Sequence, residues 1–78
     1  MLNQNQREAL QVISKMGRHC HGFAAPAMKL AEAGVMAHDV EGTRGLLHHL
    51  ESEGYLRKTL SDAGVPTWSL TVKAVNEL

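Results

Sequence analysis
The sequence predicts a mainly α domain with a small β-hairpin, an α+β fold of three core helices, a two-stranded hairpin and a short C-terminal helix. Three observations predict it. Val40, Thr43, Leu47 and Leu50 recur at steps of three, four and three, which places them on one face of a helix. Gly54 then stops that helix, since glycine readily takes the left-handed conformation that closes a last turn. Beyond it, two extended runs, residues 55–60 and 65–70, flank Ser61-Asp62-Ala63-Gly64, a turn signal.

The elements follow in order along 78 residues, enough for one small domain expected to span residues 1–78. Helix one is expected over about 4–18. Asn3 with Gln6, or Asn5 with Glu8, has capping-box spacing. Leu10, Ile13 and Met16 or Gly17 form its buried stripe, and Gly17 with His19-Cys20-His21-Gly22 ends it. Helix two begins after Phe23, with Pro26 in its first turn, where the missing N–H costs nothing. Good helix formers continue to Ala33, and Gly34 is the stop. Val35-Met36-Ala37-His38 reads as the turn, with Val35 filling the corner. Phe23 to Ala27 leaves room for a short extended bridge to the hairpin. Asp39 caps helix three (about 39–53), and Leu46 widens its apolar stripe. Thr71 caps the last helix, which places Val72, Val75 and Leu78 on one face.

Formal net charge is zero, with eight basic and eight acidic side chains, unevenly spread. Residues 1–38 carry four basic and two acidic groups, net +2; residues 39–54 carry Arg44 against Asp39, Glu41, Glu51 and Glu53, net −3; residues 55–78 are net +1. Helix three is therefore the acidic part of the chain. No apolar run approaches the ~18 residues of a membrane span, and the polar start MLNQNQREAL lacks the order of a signal peptide. One cysteine, Cys20, rules out an internal disulfide framework, so a cytoplasmic setting is expected.

The chain resembles the winged helix-turn-helix superfamily of bacterial and phage regulators over nearly its whole length. The residues that carry the resemblance are Gln6-Arg7-Glu8-Ala9-Leu10-Gln11-Val12-Ile13, Leu30-Ala31 before Gly34, Leu47, Leu50-Glu51-Ser52-Glu53-Gly54-Tyr55-Leu56, and Trp68-Ser69-Leu70-Thr71. The resemblance implies that helix three enters the major groove of double-stranded DNA while the 55–70 wing lies on the backbone, and it implies transcriptional regulation. Pro66-Thr67-Trp68 also resembles the proline and tryptophan pattern of Z-form nucleic-acid-binding domains. Those domains carry an asparagine and a tyrosine on helix three, where this chain has Arg44 and His48.

The candidate DNA-binding residues are Thr43, Arg44, Gly45 and His48 on helix three, Arg57 and Lys58 on the wing, and Lys29 on helix two. Arg44 leads, because its planar fork matches the acceptor pair of guanine. His48 donates to phosphate or base when protonated. Gly42 and Gly45 shave the same face at about 1 kcal/mol each against alanine. Either they admit a partner closely or they pack against helix one or two. Arg57 and Lys58 cannot point the same way along an alternating strand. Trp68 is expected in the core or at the wing base.

No metal or cofactor is expected. The neighbours His19-Cys20-His21 and His48-His49 lack the spacings that converge on zinc, and adjacent helical ligands point about 100° apart. Cys20 is expected to be inert. No glycine-rich phosphate loop or nucleophile–base pair is present, so no enzyme is expected. A homodimer is expected to restore affinity to a small surface with few basic groups, with Val72, Val75 and Leu78 supplying part of its face. The alternative is a protein-interaction module that docks through helix three or the wing on a larger assembly, favoured by Glu41, Glu51 and Glu53.

Overall fold
Asn3 starts the first helix through a full capping box. Its side chain accepts from the Gln6 N–H at 2.7 Å, and the Gln6 side-chain oxygen accepts from the Asn3 N–H at 3.0 Å. The structure, a computed structural model, describes residues 2–35 and 39–78. Among these residues the order is α1 (Gln4–Met16), a 3-10 turn (Gly17–His19), α2 (Ala24–Glu32), α3 (Val40–Ser52), β1 (Leu56–Leu60), β2 (Pro66–Leu70) and α4 (Val72–Glu77). The fold is α+β, with four α-helices and a two-stranded antiparallel sheet. No helix among the described residues is long and apolar enough to cross a membrane.

Helix α1 is shorter than the sequence suggests. Gly17 leaves α geometry at φ +57°, so the chain finishes the turn as 3-10 rather than running to Arg18. Helices α2 and α3 both end in the same way. Gly34 (φ +75°) and Gly54 (φ +85°) take the left-handed position, and the residue after each donates back five residues, Val35 to Leu30 at 3.0 Å and Tyr55 to Leu50 at 2.8 Å. This closure also carries Val35 and Tyr55 into the core. The turn read at Met36-Ala37-His38 lies outside the described residues.

The Asp39 carboxylate accepts from the Gly42 N–H at 2.6 Å and caps α3. Thr43, Leu47 and Leu50 are fully buried, whereas Val40 is 42% exposed. The apolar stripe therefore starts one turn later than the spacing suggests, because the cap end of α3 projects past the core. Leu47 and Leu50 join Leu10, Ile13, Cys20, Tyr55, Leu56, Trp68 and Ala74 in the main cluster. A second cluster of Ala9, Leu30 and Val35 meets it through Leu46, which packs against both. Each fully buried leucine contributes about 1.5–3 kcal/mol.

Strands β1 and β2 pair from Leu56↔Leu70 to Leu60↔Pro66, across a turn in which Gly64 takes φ +78°. The bridge to the hairpin does not fall between Phe23 and Ala27, where the chain is already helical. It falls earlier, as His21↔Thr67. The Trp68 N–H donates to the Cys20 carbonyl at 2.9 Å and the Gly22 N–H to the Pro66 carbonyl at 2.8 Å. The indole Nε1–H adds a bond to the Gly22 carbonyl at 3.0 Å. Trp68 thus fastens the hairpin to the segment that leads into α2.

Helix α4 begins with the Thr71 hydroxyl accepting from the Ala74 N–H at 3.3 Å and donating to the Gly54 carbonyl at 2.6 Å. Arg7 of α1 donates to the Glu77 carbonyl, and the Tyr55 hydroxyl donates to the Glu77 carboxylate at 2.8 Å. Ala74 alone of α4 is buried; Val72, Val75 and Leu78 stay in solvent.

Candidate functional site
Helix α3 offers solvent one face made from Glu41, Arg44, Gly45 and His48, which share a side at spacings of three, one and three. Packing of the opposite side through Leu47 and Leu50 fixes which way that face points. Thr43 does not belong to it. Its side chain is fully buried, so it is corrected from a candidate contact to a core residue. The 3.6-residue period turns position 43 inward with 47 and 50. The Thr43 hydroxyl has no hydrogen-bond partner among the described residues.

Arg44 is held by a residue from another element. Its guanidinium lies over the Phe23 ring at 4.4 Å from the centroid. Phe23 directly precedes α2, half-buried against the main cluster. Its ring also meets His48 at 5.8 Å and Trp68 at 5.8 Å, and His48 meets Trp68 edge-on at 5.7 Å. The face therefore stands on an aromatic base drawn from three elements. A cation over an aromatic face at an exposed site is stabilised by about 0.5–1 kcal/mol. This directs Arg44 without burying its charge.

Gly45 lies beside Arg44 in open space: a Cβ built there meets no atom within 4 Å. Packing against helix one or two is therefore not what excludes a side chain at this position.

The charged neighbours are mixed in sign. Glu41 approaches Arg44 Nε at 4.0 Å. Glu51 lies 3.7 Å from His48 Nδ1 and 3.9 Å from Lys58 Nζ, linking α3 to β1. These are partly exposed contacts that contribute little to stability. Lys58 leans toward α3, opposite Trp68 in the hairpin register. Arg57 alternates to the other face, opposite Ser69, and is exposed with no ion pair among the described residues. The hairpin tip is not basic. It exposes Leu60 at 61% and Val65 at 41%, with Asp62 between them.

Lys29 lies apart from this face. It pairs with Glu32 at 3.4 Å and lines a groove of about 550 Å³ with Val12, Lys15, Met16 and His19, between α1 and α2. Arg44, Gly45, His48 and Lys58 are thus brought together, with Arg57 on the reverse of the hairpin and Lys29 in the groove. Phe23 is the site residue that the sequence did not single out. Its aromatic character was visible, but its partner lies 21 positions away.

Cys20 is buried beneath the bridge to β2, and burial pushes its thiol up to about 11 from an ordinary 9.0. It is held as the unreactive thiol at neutral pH. Among the described residues, no group of three or more His, Cys, Asp and Glu side chains is placed to hold a metal ion. No protein-family model, curated protein or solved structure matches the chain.

Proposed function
We propose that this chain is a winged-helix domain that binds double-stranded DNA, with α3 in the major groove and the hairpin against the backbone, as a transcriptional regulator. The observation that carries the reading is Arg44, supported over Phe23 on an exposed helix face beside a glycine whose missing side chain leaves open space. A planar fork projecting from a helix suits the paired acceptors of guanine. A bare backbone next to it lets the helix settle deeper in the groove. His48 and Lys58 extend the contact toward phosphates, and each phosphate contact steepens the salt dependence of binding. With so few cations the affinity of one copy is low. Val72 and Val75 on α4 and Leu78 just beyond it, all in solvent, supply an apolar patch through which two copies bind adjacent half-sites.

The test is duplex binding measured across salt concentrations. Affinity should fall steeply as salt rises, and Arg44→Ala should weaken a preferred duplex about tenfold while barely changing random duplex. A wild-type domain with no duplex affinity at low salt would end this reading.

A second reading is favoured by the hairpin tip. Leu60 and Val65 beside Asp62 form a surface suited to another protein rather than to phosphate. On that reading the domain is an interaction module in a larger assembly. Leu60→Ser with Val65→Thr would then abolish partner binding and leave any duplex affinity unchanged.

A further inference from the structure
An acidic residue on a DNA-reading helix is repelled by phosphate, and Glu41 stands on the face that carries Arg44. Its side chain is 86% exposed in the first turn of α3. The fold makes little use of it. Asp39 caps the helix, and Phe23 supports the Arg44 plane. The 4.0 Å approach to Arg44 Nε is longer than a hydrogen bond. The nearest approach of Glu41 is to Nε, and the Arg44 side chain is half-exposed.

We propose that Glu41 and Arg44 act together as a base reader selecting a duplex with neighbouring C·G pairs, Arg44 donating to guanine and Glu41 accepting from the cytosine N4 amino group. The inference rests on the DNA-binding reading above. Its chemistry follows from the major-groove edges. Guanine and thymine present only acceptors or a methyl to a carboxylate. Adenine sets its N6 donor beside the N7 acceptor, which repels a second carboxylate oxygen. Cytosine presents its amino donor without that neighbour. The spacing fits as well. Three helical residues advance about 4.5 Å, close to the ~3.4 Å step between base pairs, so the two side chains reach adjacent pairs. Glutamate is short, and the open space at Gly45 is what allows the helix to come close enough. The carboxylate that weakens non-specific attraction then supplies discrimination.

The experiment is selection from a randomised DNA duplex library by the wild-type chain and by Glu41→Gln, followed by titration of the selected duplex, its single-cytosine replacements and a scrambled duplex. The wild type should enrich a guanine next to a cytosine. Glu41→Gln, melting at the wild-type temperature, should lose the cytosine preference by about tenfold and bind the scrambled duplex more tightly. If Glu41→Gln tightens every duplex equally and keeps the same selected sequence, Glu41 is only a repulsive charge and the inference is overturned. If the wild type enriches nothing and shows no salt-dependent duplex affinity, the DNA-binding reading itself falls, and this inference with it.

Discussion
The guanidinium of Arg44 lies 4.4 Å from the centroid of the Phe23 ring, joining the exposed face of α3 to the residue that precedes α2. An arginine that is free to rotate must be ordered before it can use its fork. One already stacked has lost part of that freedom, so less is lost per hydrogen bond formed. Phe23→Leu keeps the apolar packing and removes the π face. The expected result is a two- to fivefold weaker duplex affinity, the equivalent of about 0.5–1 kcal/mol. The Arg44 Nε–Hε resonance should lose its ring-current shift in NMR spectra of the free protein. An unchanged resonance would show that the stack does not hold Arg44.

Gly45 sets stability against binding. A Cβ there meets nothing, so Gly45→Ala should stabilise α3 by about 1 kcal/mol, the helix-propensity difference. In a domain of this size that raises Tm by about 4–8 °C. The same methyl enlarges the face at the point of closest approach and should weaken partner binding. Calorimetry and a binding titration on one sample check both signs. A stabilised variant that binds as well as the wild type would mean that no partner approaches the helix there.

Much of the helical core was legible in the sequence because it is local. The 3.6-residue period located Leu47 and Leu50, and Gly34 and Gly54 marked two helix ends through the backbone geometry they permit. What the period could not convey is where the core stops, and so Val40 is exposed although it continues the stripe. The His21↔Thr67 bridge was misplaced because it is made by backbone groups, to which His-Cys-His-Gly gives no strand signal. At the candidate site the face of Arg44, Gly45 and His48 was legible. Its support by Phe23 was not, since a contact across 21 positions leaves no periodic trace. Whether Gly45 faces a neighbouring helix or open space likewise depends on how α3 packs, which no local pattern encodes.

Trp68 is the fastening of the hairpin. Phenylalanine in its place keeps most of the apolar surface and removes the indole N–H, leaving the Gly22 carbonyl without that partner. Trp68→Phe should therefore cost about 1–3 kcal/mol in urea unfolding. Amide exchange should also quicken at residue 68 and at Gly22, whose N–H groups bond across the bridge to Cys20 and Pro66. Loss of stability with unchanged exchange at those amides would place the effect in core volume instead.

Stability should decline in alkali, and two groups contribute to the fall. Burial raises the Cys20 thiol to about 11 from 9.0. The Tyr55 hydroxyl is raised from 10.0, chiefly by the hydrogen bond it donates to the Glu77 carboxylate. Both are acids held neutral by the fold, so above its unfolded pKa each group binds more protons folded than unfolded, and stability falls with rising pH. The contribution of Cys20 is complete below about pH 9 and is lost as pH rises through about 11; that of Tyr55 starts to be lost above pH 10. Urea midpoints measured from about pH 8 to pH 11 should fall for the wild type. Cys20→Ala should flatten the early part of the fall and Tyr55→Phe the later part. A Cys20→Ala curve running parallel to the wild type would remove the buried thiol as the cause.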